Sequence, residues 1–261
     1  MQRYRSAITT LILSISFAAC AARQTAAPVP GRSVYYSFEG FESGEAPKSI
    51  ETATAGPAVA DAGATPDARP IALGINDTAR PGRWLVLSTS SAKRGKRVLL
   101  QKDATDTKGR VPIAWVRDAD FRGKVAISVD ARSHEMDGLV DVGLAWNIRN
   151  ANEYLVLHAD GDRHELRAEL VTMARGSGIQ PAAGRNVKIL ASAPYHFSPN
   201  KWFNLSIEQD SGRVRCGVNS EVLLNFTVPA GFESGSVGLC TFEGVTAEFD
   251  EFIAVGDETR R

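Results

Sequence analysis

The chain has 261 residues, 30 of them basic and 30 acidic, and 43% are hydrophobic. Balanced charge removes the electrostatic reason to expect nucleic acid, because phosphate binding draws on clustered Lys and Arg. The apolar fraction suits a globular unit with a substantial core, and all-β sandwiches of ~200–250 residues commonly form one domain.

Met1 to Cys20 reads as a secretory signal. Arg3 and Arg5 form a basic start, and Ile8 to Ala19 is an apolar run shorter than the ~20 residues a membrane-spanning helix needs. Phe17-Ala18-Ala19-Cys20 resembles the bacterial lipobox, in which the Cys carries the lipid. Phe17 departs from the usual aliphatic residue there, so ordinary cleavage near Ala19 or Ala21 stays open. The expected location is the bacterial cell envelope, periplasm or outer membrane. The membrane would be reached only through a lipid anchor at Cys20. Residues 21–32, AARQTAAPVPGR, read as a flexible tether with nothing to bury. The folded domain is expected over 33–257, with 258–261 as a tail.

Strand character begins at Val34 to Glu39. A stretch rich in Ala, Pro, Gly and Asp, Gly56 to Gly82, reads as a long loop, and strands resume at Trp84 to Leu87, Lys96 to Gln101, Pro112 to Val116 and Val125 to Arg132. The basic run Lys93 to Arg97 lies between two of these and reads as a solvated turn.

The most specific stretch follows, at Asp137 to Val171. Three strands are expected at Leu139 to Asn147, Tyr154 to Ala159 and His164 to Val171. Asp160-Gly161-Asp162 is read as a hairpin turn that needs Gly to reach positive φ. Alternation puts Val140, Val142, Leu144, Trp146, Leu155, Leu157, Leu166, Ala168 and Leu170 on one face. A loop at Gly161-Asp162 sets Leu157 opposite Leu166, with His158 beside Glu165, Val156 beside Arg167 and Tyr154 beside Glu169. Asp141, Gly143 and Asn147 join the second, polar face. One greasy and one polar face indicate half of a sandwich.

Further strands are expected at Lys188 to Leu190, Trp202 to Glu208, Arg213 to Val218, Glu221 to Val228, Ser236 to Phe242 and Glu248 to Val255. Asp210-Ser211-Gly212 and Asn219-Ser220 read as hairpin turns. No helix of three turns is apparent. Many short strands at close spacing indicate an all-β sandwich of two antiparallel sheets. Cys216 shares a face with Val214 and Val218, whereas Cys240 has the opposite parity to Val237 and Leu239, so two free thiols are expected rather than a disulfide.

Several segments fall in a familiar order: Phe38-Glu39, Trp84-x-Val86, Arg97 to Gln101, Asp141-x-Gly143-Leu144-x-Trp146, Asn152-x-Tyr154, Lys201-Trp202, Gly235-x-Val237-Gly238-Leu239 and Phe249-Asp250-x-Phe252. In this order the chain resembles the concanavalin A-like (laminin G, glucanase-type) jelly roll, and within it the bacterial secreted 3-keto-disaccharide hydrolase domains. The resemblance spans roughly Val34 to Val255. Such domains usually carry Arg at the positions of Asn147 and His158, and an aromatic where this chain has Cys240.

The polar face of the central trio supplies the candidate ligand site: Asn147, Tyr154, His158, Glu165, Arg167 and Glu169. Tyr154 offers an amphipathic ring, and Arg167 between two Glu can hold hydroxyl or carboxylate groups. The bland alternative is that these charges keep the sheet soluble and contribute cross-strand pairs of up to ~1 kcal/mol each. If the protein is an enzyme, His158 and Glu165 are the acid/base pair. The glucanase-type acidic motif is broken by Arg167, and Glu165 and Glu169 lie ~13 Å apart along a strand, beyond the roughly 5–9.5 Å of working carboxyl pairs. Jelly-roll carbohydrate-binding modules often hold a structural Ca²⁺ between first and last strands, which nominates Glu39, Glu42 and Asp250. No other cofactor is required, and no zinc, phosphate-loop, dinucleotide or G-x-S-x-G signature occurs. The expected function is an exported carbohydrate- or glycan-binding domain, lectin-like and lacking a catalytic motif. The alternatives are a sugar-active hydrolase or lyase of the 3-keto-disaccharide hydrolase type and a structural envelope protein.

Overall fold

The computed structural model describes residues 31–55, 83–102, 111–134, 139–173, 185–242 and 245–258. The signal, Cys20, most of the tether and the 56–82 loop lie outside them. Among the described residues fifteen strands, all paired antiparallel, make two layers. One layer holds β1 (Arg32–Tyr36), β3 (Trp84–Ser88), β4 (Arg97–Gln101), β6 (Phe121–Ser133), β11 (Phe203–Asp210), β12 (Arg213–Val218), β13 (Glu221–Thr227) and β15 (Ala247–Glu258). Here β15 is flanked by β1 and β4 on one side and β6 on the other, and β11, β12 and β13 follow outward. The other layer runs in the order β2 (Ile50–Ala55), β5 (Val111–Val116), β14 (Ser234–Thr241), β7 (Asp141–Asn150), β8 (Glu153–Asp160), β9 (Glu165–Met173), β10 (Arg185–Pro194). This is the expected jelly-roll β-sandwich. β2 is the strand that sequence reading missed, because its alternating Thr and Ala residues give little apolar signal.

The core between the layers follows from alternation. Ile127, Val129, Leu205, Ile207, Val214, Cys216 and Phe249 meet Val142, Leu144, Trp146, Leu155, Leu157, Leu166 and Ala168. Trp146 is fully buried, and its indole Nε1 donates to Gln209 Oε1 at 3.1 Å, so the largest core side chain also has its polar atom satisfied. The hairpin turns at Ser211-Gly212 and Asn219-Ser220 have positive φ at all four residues, as their sequence implied. Cys216 lies in this core and Cys240 on the far side of the second sheet, so both are buried and neither forms a disulfide.

Three expectations need correction. First, the β8–β9 register is displaced by two residues: Leu157 faces Ala168, Leu155 faces Leu170, and Ala159 faces Leu166. The connection is four residues rather than two, and an even shift leaves every side chain on its assigned face. Second, Gly161 does not supply positive φ; His164 does, at 55°. Gly161 is needed for close approach, because its amide donates to Val140 O at 2.6 Å and an added Cβ would sit 2.8 Å from that oxygen. Third, the outer face of the second sheet is not uniformly polar. It carries its own buried apolar cluster, including Ile113, Trp115, Ala145, Tyr154, Val156, Val171, Cys240 and Phe242. Strands with apolar residues at both parities, such as Val111 to Val116, bury both faces. Only the end of this face where β7 begins and β8 ends is polar.

Gly238 shows how tightly the second sheet is built. An added Cβ would lie 2.2 Å from Ala114 O and 2.8 Å from Trp115 Cα, both backbone atoms of the neighbouring β5. Gly238→Ala is expected to lower stability by about 1–3 kcal/mol through overpacking. A urea melt checks this, and an unchanged midpoint would mean that β5 can move aside.

Candidate functional site

The polar end of the second sheet gathers five ionisable side chains on three adjacent strands. The register sets Asp141 opposite Asp160, Gly143 opposite His158, His158 opposite Arg167 and Val156 opposite Glu169. All five charged residues are more than nine-tenths buried, with Glu169 only 3% exposed. His158 Nε2 pairs with Asp141 Oδ1, and Nδ1 lies 3.3 Å from Glu169 Oε1. Arg167 bridges two carboxylates, with Nη2 2.7 Å from Asp160 Oδ2 and Nε 2.9 Å from Glu169 Oε1. Asp160 Oδ1 also accepts the Arg163 amide at 2.9 Å.

These contacts decide the protonation state. Burial opposes charge on His158, but hydrogen bonds to Asp141 and Glu169 outweigh it and raise the pKa to about 9. The imidazole is therefore a cation at neutral pH, donating from both nitrogens. Arg167 Nη2 lies 3.1 Å from His158 Nδ1. With both groups protonated that contact is a close approach of two cations, offset by Glu169 beside them. Burial pushes the Glu169 carboxyl up, and His158 and Arg167 more than reverse this, holding it below its ordinary value.

Phe242 stacks on His158 at 3.9 Å between centroids and 24° between planes. Gly143 makes room for it, since a Cβ there would meet Cys240 Sγ and Val156 Cγ2 at 2.6 Å and Phe242 at 3.0 Å. Above this floor is a half-open hollow of about 420 Å³. Val187 and Ile189 of β10 form an aliphatic wall, 44% and 50% exposed, and Asp162 and Arg163 stand at the rim.

The structure brings together only part of the expected ligand set. His158, Arg167 and Glu169 converge. Glu165 faces Asp160 and Pro194 instead, because the two-residue register shift puts Arg167 beside His158. Tyr154 is fully buried in the second apolar cluster and presents no platform. Asn147 has φ 49° at the β7 bulge, which turns its amide away to donate to Gln209 Oε1 and Phe232 O. Asp160, Phe242, Val187 and Ile189 were not foreseen. Asp160 looked like a turn residue, and Phe242 and β10 arrive from distant segments.

The carboxylates nominated for Ca²⁺ brace a turn. Glu39 Oε1 accepts the Lys96 and Arg97 amides at 2.6 and 2.7 Å, which hold its pKa low. Asp250 Oδ2 accepts the Arg94 amide at 2.8 Å, and burial raises its pKa despite this bond. Glu42 is exposed. Among the described residues no three His, Cys, Asp or Glu side chains are grouped to hold a metal ion.

A larger hollow of about 1080 Å³ lies on the outer side of the first sheet, lined by Lys124, Glu208, Arg213, Arg215, Asn225 and Asp257. All six are exposed, and the Glu208–Arg215 pair has both side chains 60% accessible. Such solvated charges are worth little and are not held in place. The smaller hollow has the preorganised groups.

No protein-family model and no curated protein matches the chain. Among solved structures, the Bacteroides ovatus family 16 glycoside hydrolase of a mixed-linkage glucan locus, in complex with G4G4G3G product, aligns with a TM-score of 0.51. It is 11% identical, covering 85% of this chain and 99% of that one. A family 16 endo-glucanase from the same organism is 12% identical, covers 85% and 99%, and has a TM-score of 0.49. The carbohydrate-binding module CBM66 from Bacillus subtilis is 14% identical, covers 68% and 92%, and has a TM-score of 0.48. The chain thus has the concanavalin A-like jelly-roll fold, and identities this low speak for the fold alone.

Proposed function

We propose that this chain is an exported, lipid-anchored carbohydrate-binding domain of the cell envelope, with the hollow between His158 and β10 as its saccharide seat. The observation that carries this reading is the composition of the hollow. Its floor offers buried, already oriented carboxylates and a guanidinium, suited to vicinal hydroxyls, and its wall is aliphatic and suited to the C–H face of a sugar ring. Preorganised groups lose little entropy on binding. The jelly-roll fold accords with it.

Binding is favoured over catalysis on chemical grounds. A general base needs a free nitrogen and a pKa near the working pH. Both His158 nitrogens are committed to carboxylates, and its pKa is about 9. Glu165, the other half of the expected acid/base pair, is not beside it. Titration calorimetry against a panel of neutral and charged oligosaccharides tests the reading. Saturable binding is expected, with loss of at least about tenfold in affinity for Ile189→Asp, which alters an exposed wall residue without disturbing the core. No affinity for any saccharide at millimolar concentration would refute it.

A further inference from the structure

The chain has four histidines, and their ring nitrogens are engaged differently. His158 is held by Asp141 and Glu169, and His134 Nε2 meets Glu248 Oε1 at 3.1 Å. His164 and His196 have no side-chain hydrogen-bond or ion-pair partner among the described residues. They meet each other instead, with ring centroids 4.9 Å apart and planes at 43°, and both are exposed. The backbone sets this contact. Strict alternation would send His164 to the core side with Leu166, but its φ of 55° breaks the alternation just before β9 begins. That left-handed conformation is costly for a residue with a side chain and persists only where the surroundings hold it. Here the Tyr195 amide donates to His164 O at 2.9 Å, and the Tyr195 side chain packs against the core. His196 follows directly, so both histidines spring from fixed backbone.

We infer that His164 and His196 together chelate a divalent transition-metal ion, Cu²⁺ in preference to Zn²⁺, with water completing its shell. Neutral imidazole is the commonest protein ligand for such ions, and affinity for a given nitrogen site peaks at copper. Two nitrogens on one ion lie within about 4 Å of each other, twice a metal–nitrogen bond of ~2.0–2.1 Å. Rings already in contact reach that spacing by small rotations of exposed side chains, with no backbone movement. The nearest cation in sequence, Arg163, is drawn aside by Asp160, which takes its Nε at 3.8 Å and its amide at 2.9 Å. Calcium and magnesium are excluded as occupants because they require oxygen ligands. The pair stands beyond the rim of the hollow and uses none of its floor or wall residues, so the inference does not depend on saccharide binding.

The test titrates the intact chain with copper(II) chloride and, separately, zinc chloride in a non-coordinating buffer, by calorimetry and by electron paramagnetic resonance of the copper form. Saturable copper binding is expected, tighter than zinc, with nitrogen coupling from two imidazoles in the spectrum. His164→Asn and His196→Gln should each weaken copper binding at least about tenfold, since either leaves a single imidazole. Asn tolerates the left-handed backbone at 164, and both side chains are exposed, so neither variant disturbs the core. His134→Gln, which removes a histidine already paired with Glu248, should leave the affinity unchanged. Copper should also raise the melting temperature of the wild-type chain and not that of the His164 and His196 variants. No copper binding at millimolar concentration, coupling from one imidazole only, or affinity retained in either His164→Asn or His196→Gln would overturn the inference. Zinc binding as tightly as copper would overturn the stated preference.

Discussion

Arg167→Ala is expected to lower the free energy of unfolding by about 3–5 kcal/mol, the range for removing one member of a buried ion pair. Arg167 is the only side chain that touches both Asp160 and Glu169 in this cluster, and it is itself 7% exposed. Without it Glu169 keeps His158 as its charged partner among the described residues, and Asp160 keeps the exposed Arg163 at 3.8 Å. The loss is therefore the cost of stranded charge more than the value of two contacts. Arg167→Met, which keeps volume but not charge, should be nearly as damaging for the same reason. Chemical denaturation monitored by tryptophan fluorescence measures both variants. A change below about 1 kcal/mol would mean that water enters the cluster freely, as it does around surface pairs, and the hollow would then lack a preorganised floor.

The second large effect is on pH dependence. His158 has a folded pKa raised to about 9 from an ordinary value near 6.5. The stability it contributes is therefore complete below about pH 6.5 and disappears as pH rises through about 9, a total of about 3 kcal/mol. Glu169 and Glu248 work in the opposite direction. Their carboxyls are held below the ordinary value, so their contribution is present above the usual carboxylate range and fades as pH falls through their folded pKa. Stability should pass through a maximum on the acid side of neutrality and decline toward alkaline pH. His158→Gln should flatten the alkaline limb while leaving the acid limb in place. Parallel curves for wild type and variant from pH 6 to pH 10 would show that the imidazole is not charged in the native state.

The hollow and the main core arise from one set of strands and were not equally legible. Period-two alternation in Val140 to Trp146, Leu155 to Leu157 and Leu166 to Leu170 named the residues between the sheets, and those assignments hold even though the register moved by two. Face depends only on parity, and the free energy of burial enforces parity strongly. The motif order likewise disclosed the jelly roll, and cysteine parity favoured two separate thiols.

What alternation cannot carry is which residues lie opposite one another. Loop length sets that, and the four-residue turn exchanged Glu165 for Arg167 beside His158. Nor does parity say whether an outward face meets solvent. Tyr154 lies outward by parity yet is buried, because its neighbours on β5, β7 and β14 are apolar on that side too. The site depends on segments distant in sequence: Phe242, the residue after β14, stacks on His158, β10 provides the wall, and Asn147 is turned away by a bulge. Sequence by itself determined the sandwich and the contents of its core, since both follow from a local pattern of polarity. Only the tertiary structure decided the charged hollow, because strand register and long-range stacking, and not polarity along the chain, choose which charges share a buried space.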